Sequence, residues 1–371
     1  MVLTQDEDGA IEVVGTAQHA AWAARTFPPV EGLAAGIWSV PVPIPDNPLR
    51  YTLSYLVPGD EGIVVVDPGW DTEDGWAALS AGLAAAGATA ADVAGIVATH
   101  VHPDHHGLSA RLREVSGAWI AMHPAERDTL PDRTVSAGDR ARGALRWLRA
   151  SGAPEDEARA LLASFRGDPS RATGMAEPDV LLDDGDLVPM RGRRLRAVWT
   201  PGHTPGHLCL QEVDARLLLT GDHVLPRITP NVGLHPGADA PVLAEFLGSL
   251  ERTAAFDDHD ALPAHEYRFR GIARRVRRLR EHHEHRCAEI LDVVTELGEP
   301  TVWQLTSQLT WSRPWAEIGP MTFAAVAETA AHLRYLVDTG DLARVDVRTG
   351  TEGDPLHRVR RVAVPAARSS A

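Results

Sequence analysis

Short apolar runs in this chain end, again and again, on a histidine or an aspartate, and that recurrence restricts the fold more than any other feature. They close as "VVVD" at Asp67, "GIVATH" at His100, "VWTPGH" at His203, "LLLTGD" at Asp222 and "ALPAH" at His265. Runs of this length, rich in Val, Ile and Leu and bounded by Gly, Pro or Asp, read as buried strands. Metal-ligating side chains at the end of strand after strand call for a sheet framework whose loops converge on one edge.

The rest of the pattern agrees. "GIWSVPVPI", "YTLSYLV" and "GIVVVD" read as three successive strands, and "DTEDGWAALSAGLAAAG" as a helix opened by an Asp cap and closed by Gly. Residues 136–178 break the rhythm with two amphipathic helices, a helical insert expected to cap the site. Strands resume up to "HDALPAH". A long arginine-rich helix over about 268–297 follows, then two further helices and the runs "LARVDV" and "RVRRVAV". Three helices followed by a two-stranded ribbon is the order of a winged helix. The expected division is an N-terminal extension (1–35), a catalytic domain (36–267), a helical and winged-helix-like domain (268–365) and a disordered tail (366–371).

The densest chemistry lies in "THVHPDHHG". Residues two apart in an extended chain point to one side, so His100 and His102 can serve one metal. Pro103 then turns the chain, and Asp104 and His105 can face a second position. Imidazole with carboxylate suits zinc and similar borderline cations.

With His203, Asp222 and His265 in order after it, this H-x-H-x-D-H motif resembles that of the metallo-β-lactamase-fold superfamily over about residues 36–266. The resemblance implies an α/β fold, an αββα sandwich with its metals on one edge. It places one divalent cation on His100, His102 and His203 and a second on Asp104, His105 and His265, bridged by Asp222. Zinc is the expected metal, with iron or manganese as alternatives. Asp67 is expected to bond backbone or a ligand imidazole. His106, His207 and His223 flank ligands and are expected to support them, with a direct role left open for His106. Asp222 where true zinc β-lactamases carry cysteine argues against antibiotic hydrolysis. The bridging-Asp pattern is similar to glyoxalase II, the acyl-homoserine lactonases and their thioesterase neighbours. The lactonase tyrosine is missing between His123 and His203, however, and the chain has no lysine for a glyoxalase II glutathione site.

The implied activity is hydrolysis of an ester, thioester or lactone by a hydroxide held between two metals. Asp104 and Asp222 are the expected catalytic carboxylates, and Trp147 and Phe165 of the insert are expected to line an apolar substrate pocket. The alternative is a single-strand-specific endonuclease of the same fold. A formal charge of −15 and a candidate recognition helix offering only His332 and Arg334 favour the acyl substrate. The stretch "RFRGIARRVRRLREHHEHR" reads as a solvated helix face, with His282, His283 and His285 on the surface. All 36 basic residues are arginine and the cysteines number two, Cys209 and Cys287, so no disulfide framework organises the chain. The N-terminus has no basic and apolar leader, and no apolar run reaches the about 20 residues a membrane helix needs. The expectation is a cytoplasmic protein, forming homodimers through its C-terminal domain or closing its pocket with it.

Overall fold

The computed structural model describes residues 11–130, 137–165, 175–236, 238–347 and 356–362. Two sheets form the frame. Strands β1 (Glu12–Val13) and β2 (Glu31–Gly32) flank helix α1 (Thr16–Ala23). They are followed by β3 (Trp38–Pro43), β4 (Tyr51–Gly59), β5 (Gly62–Val66), β6 (Val93–Val97), β7 (Trp119–Met122) and β8 (Val180–Leu181). The second sheet continues through β9 (Leu195–Trp199), β10 (Leu208–Glu212), β11 (Leu217–Gly221), β12 (Asp260–Pro263) and β13 (Phe269–Arg270). One sheet has the order β2-β3-β4-β5-β6-β7-β8 and the other β1-β13-β12-β11-β10-β9. The stretch set apart as an N-terminal extension is thus woven into both sheets, β1 pairing with β13 and β2 with β3.

Alternation along each strand divides the apolar residues between two cores. Leu53, Tyr55, Val57, Val64 and Val66 face the other sheet, meeting Leu195, Ala197, Leu208, Leu210, Leu217 and Leu219. Leu56, Ile63, Val65 and Ile96 face outward, onto Leu79 and Leu83 of α2 (Glu73–Ala85) and Leu112 of α4 (Ser109–Ser116). With both faces covered, β5 reads as an unbroken apolar run rather than an alternating one. The cap of α2 is Thr72, whose hydroxyl accepts from Gly75 N at 2.9 Å, and not the preceding Asp71. Phenols tie the sheets together: Tyr51 donates to Glu266 O and Tyr55 to Pro263 O. The result is an αββα sandwich.

Strand direction positions the site. β5, β6 and β7 run parallel, so Asp67, His100 and His123 all leave the sheet at one edge. β11 and β12 are also parallel, bringing Asp222 and His265 out side by side. Carboxyl ends of parallel strands are where open sheets place ligands.

A second compact unit comprises 133–167, 231–244 and 281–371. Its core joins the insert helices α6 (Ala137–Ala150) and α7 (Glu155–Phe165) to the C-terminal elements, with Leu148, Leu161 and Leu162 against Ile290, Val294, Trp303 and Leu336. Helices α9 (Ile272–Leu297), α10 (Val302–Gln308) and α11 (Thr322–Asp338) precede the antiparallel pair β14 (Leu342–Val347) and β15 (Leu356–Arg361). Thr301 and Gln304 form a reciprocal capping box at the start of α10. The remaining helices are the one-turn α3 (Pro103–His106) and α5 (Pro124–Arg127), and α8 (Val242–Thr253). The tail at 366–371 lies outside the described residues.

Candidate metal centre

All seven predicted ligands carry contact atoms that meet at this sheet edge, each within 2.9–3.6 Å of another, His102 reaching them from the bend before α3. His100 Nε2 and His203 Nε2 lie 2.9 and 3.2 Å from His102 Nδ1. Beside them, His105 Nε2 and His265 Nε2 lie 3.6 and 3.5 Å from Asp104 Oδ2. Asp222 stands between the two groups. Its Oδ2 is 3.6 Å from His203 Nε2, while its Oδ1 is 3.1 Å from His265 Nε2 and 3.6 Å from His105 Nε2.

These groups fit divalent cations. Tetrahedral zinc with bonds of about 2.0–2.1 Å spaces its ligands about 3.3 Å apart, close to the separations here. The Nε2 atoms of His105 and His265 and Oδ1 of Asp222 are buried and lack a hydrogen-bond partner, a costly arrangement that a cation would satisfy. The donor set, imidazole with carboxylate, matches the same class of ion.

The far nitrogens of His100, His105 and His265 are held by the protein, which fixes their tautomers. Asp67 accepts from Thr99 N at 2.7 Å through Oδ1, and through Oδ2 from Thr99 Oγ1 at 2.8 Å and His105 Nδ1 at 2.9 Å. With its proton committed to Asp67, Thr99 Oγ1 accepts from His100 Nδ1 at 3.0 Å. One carboxylate therefore presents Nε2 lone pairs on both sides of the centre, directly at His105 and through Thr99 at His100. His265 Nδ1 donates to Tyr51 O at 3.0 Å, to the same effect.

Electrostatics divides the imidazoles. Burial, aided by His105, His102 and His203, holds His100 well below the ordinary histidine pKa. At His105 burial acts in the same sense but is outweighed by Asp104, Asp222 and Asp67, which raise it well above that value. His265 is raised in the same manner, against burial, by Asp222 and Asp104. Asp222 is drawn far down, its burial overcome by His265 and His105. In the second group the carboxylates thus favour the protonated rings of His105 and His265, whereas in the first burial keeps His100 neutral.

The three flanking histidines differ. His106, whose role the sequence left open, points away: Nε2 donates to Ala176 O at 2.9 Å and Nδ1 accepts from Ser109 Oγ at 2.7 Å. Burial pushes it down to about 4, so it anchors as a neutral ring. His207 accepts from Asp222 N at 3.1 Å and reaches Thr200 Oγ1 at 2.8 Å, fixing the backbone that aims Asp222. Gly221 precedes that carboxylate at a φ of 49°, and a Cβ there would lie 2.6 Å from His207 Nε2. His223 Nε2 meets Thr253 Oγ1 at 3.0 Å, on α8.

Other predicted positions fall elsewhere. Trp147, expected to line a pocket, is half-buried in the second unit with its ring 5.2 Å from Phe323. The side chain of Phe165 lies outside the described residues. His283, expected on the surface, is buried with Nδ1 3.0 Å from Nε2 of His332, which is also buried and so no surface contact. The arginine-rich helix is not wholly solvated either. Arg275 is 4% exposed and donates to three carbonyls, and Arg286, equally buried, donates to Glu289 and Thr310 O. Arg334 is paired with Asp338 and Asp239.

Sequence reasoning missed Thr99 and Glu126. Thr99 is signalled only by its place before His100, and Glu126 has no local signal.

Comparison with known proteins agrees with this fold. A metallo-β-lactamase family protein of Thermus thermophilus superposes with a TM-score of 0.72 at 29% identity, covering 88% of this chain and 99% of that one. A β-lactamase domain protein of Burkholderia ambifaria gives 0.74 at 26% identity, over 95% and 98% of the two chains. The acyl-coenzyme A thioesterase MBLAC2 of Bos taurus is 33% identical over 128 residues, 34% of this chain and 40% of the thioesterase. The chain therefore spans well under two thirds of that relative. The family model of the metallo-beta-lactamase superfamily matches residues 47–265, the stretch that carries every predicted ligand, and the chain belongs to that hydrolase superfamily.

Proposed function

We propose that this protein is a dinuclear metal-dependent hydrolase acting on an ester, thioester or lactone. The observation that carries the reading is the carboxylate of Asp222, which turns one oxygen to each group of imidazoles. His100, His102 and His203 would hold one cation, and Asp104, His105 and His265 the other, with Asp222 shared. Two such cations supply a Lewis acid for a developing oxyanion and a water that is acidic near neutral pH.

The chain's own groups do the rest. Asp67 keeps Nδ1 of His105 and, through Thr99, Nδ1 of His100 protonated, so that both rings offer Nε2 inward. Asp104, whose side chain is 13% exposed, is open to water and can orient it or take its proton at Oδ2. His207 and Gly221 hold Asp222 in register.

Three observations support an acyl substrate over nucleic acid. Arg334 is already paired, His332 is buried, and the net charge is −15. The similarity to an acyl-coenzyme A thioesterase favours thioesters within the class. Both cysteines are free, which fits a reducing, cytoplasmic setting. No helix among the described residues is long and apolar enough to cross a membrane.

The test is metal content, followed by a panel of aryl esters, acyl thioesters, lactones and labelled RNA. Expected are two cations per chain and acyl hydrolysis that His100→Ala abolishes. RNA cleavage lost in His100→Ala, without acyl hydrolysis, overturns the substrate class. Failure to bind zinc after refolding with it overturns the metal reading.

A further inference from the structure

We infer that Glu126 is a positioning residue for the first cation, a carboxylate strap that holds the two ligand loops of that site at a fixed separation. The inference rests on the metal reading above. His100 and His102 come from the loop after β6, whereas His203 comes from the loop after β9, 101 residues beyond His102. The backbone joins the two loops at their base, where Leu208 N donates to Thr99 O at 2.9 Å. Glu126 joins them again nearer the ligands, with both oxygens: Oε1 accepts from Val101 N at 2.6 Å and Oε2 from Gly206 N at 2.8 Å. Val101 lies between two ligands of one loop, and Gly206 lies in the turn that carries the third.

Independent contacts show that the α5 segment is built against the His203 loop. A Cβ at Gly206 would stand 2.3 Å from Glu126 N, so the loop approaches the segment as closely as glycine alone permits. The ring of His123, just before α5, stacks on Trp199 at 4.9 Å with planes 6° apart. Trp199 Nε1 in turn donates to Pro205 O at 3.0 Å, closing the loop on itself. Glu126 is fully buried, with 0% exposure, and a buried carboxylate is retained where both oxygens are matched by donors. The second site is held differently: Asp104 and His105 share α3, and His265 is fixed by Tyr51 O.

The chemistry predicts a selective loss. In Glu126→Gln one oxygen becomes an NH2 group, which cannot accept from a backbone N–H, so one loop is released while size is kept. Glu126→Asp keeps the charge but is one methylene short and can hold one loop only. Metal-stripped protein titrated with Co2+ separates the sites by their visible spectra, with His265→Ala marking the second site. Both variants are expected to bind the first ion about 10–100-fold more weakly and the second as wild type does. Unchanged affinity at both sites overturns the strap, and so does equal weakening at both, which marks a general loss of packing. In wild-type protein the Val101 and Gly206 amides are both expected to exchange slowly. Fast exchange at either one overturns the inference without any variant. Wild-type protein that takes up no Co2+ overturns the metal reading itself, whereas two ions in wild type with an unaffected Glu126→Gln overturns the strap alone.

Discussion

Thr99→Val tests the relay through which one carboxylate orients both imidazole groups. Valine has nearly the shape of threonine but no hydroxyl, so the change removes the link between Asp67 and His100 while filling the same space. Thr99 is 1% exposed, and its Oγ1 makes bonds of 2.8 Å to Asp67 and 3.0 Å to His100 Nδ1. A hydrogen bond to an ionised group contributes about 1.5–3 kcal/mol, and the imidazole N–H left buried without a partner costs about 1–3 kcal/mol more. The added methyl returns about 0.8 kcal/mol, which leaves a net loss of about 2–5 kcal/mol in the metal-stripped protein. The same change frees the His100 ring to rotate or to shift its proton to Nε2, where the lone pair is needed. The first cation should then bind about 10–100-fold more weakly. His105 keeps its direct bond to Asp67 Oδ2, so the second cation should be little affected. The assay is a urea titration of metal-stripped protein beside a cobalt titration of the two sites. Thr99→Ser restores the hydroxyl and should restore the affinity, at the cost of about one buried methyl. Thr99→Val with wild-type stability and wild-type first-site affinity would refute the relay.

His265→Ala should empty the second site and keep the first, whereas Asp222→Ala should weaken both, because Asp222 faces both groups; metal stoichiometry by mass spectrometry checks this, and two firmly held ions in His265→Ala would contradict it. A pH dependence follows from His332, which burial pushes down to about 4, and from His283, held well below its usual value by burial and by His332. Unfolded, both rings titrate near about 6.5, so the unfolded chain gains protons first as pH falls. For His332 the loss of stability sets in below about 6.5 and runs toward about 4, at about 1.4 kcal/mol per pH unit, and His283 acts in the same direction. The difference in urea midpoint between wild type and His283→Phe/His332→Leu should therefore shrink or invert across that range, and a difference independent of pH would contradict the buried pair.

What is legible in the sequence follows from which forces act locally. The strand runs stand out because each sheet strand is bounded by turn residues and carries an apolar face, and the ligands stand out because they terminate those runs. Parallel pairing of β5 with β6 and of β11 with β12 then gathers the ends without further instruction. Glu126 cannot be found in this way. It is one of 51 acidic residues, on a single-turn helix, and its meaning arises only where two distant loops present an amide each. The insert is an intermediate case: amphipathic faces say that its helices bury something, and only the structure shows them in the core of the second unit. His283 departs from the surface expectation for a different reason. The composition of "REHHEHR" suggests a solvated face, yet Val276, Leu279, His283, Arg286, Ile290 and Val294 recur at steps of three and four, and all six are buried. Helical period assigns His283 and Arg286 to the inner face irrespective of their polarity. A buried polar residue on such a stripe must find a partner from another element or another turn, and His332, Thr310 and Glu289 are those partners. In a chain this rich in arginine and histidine, position in the period is therefore a better guide to burial than the polarity of the residue.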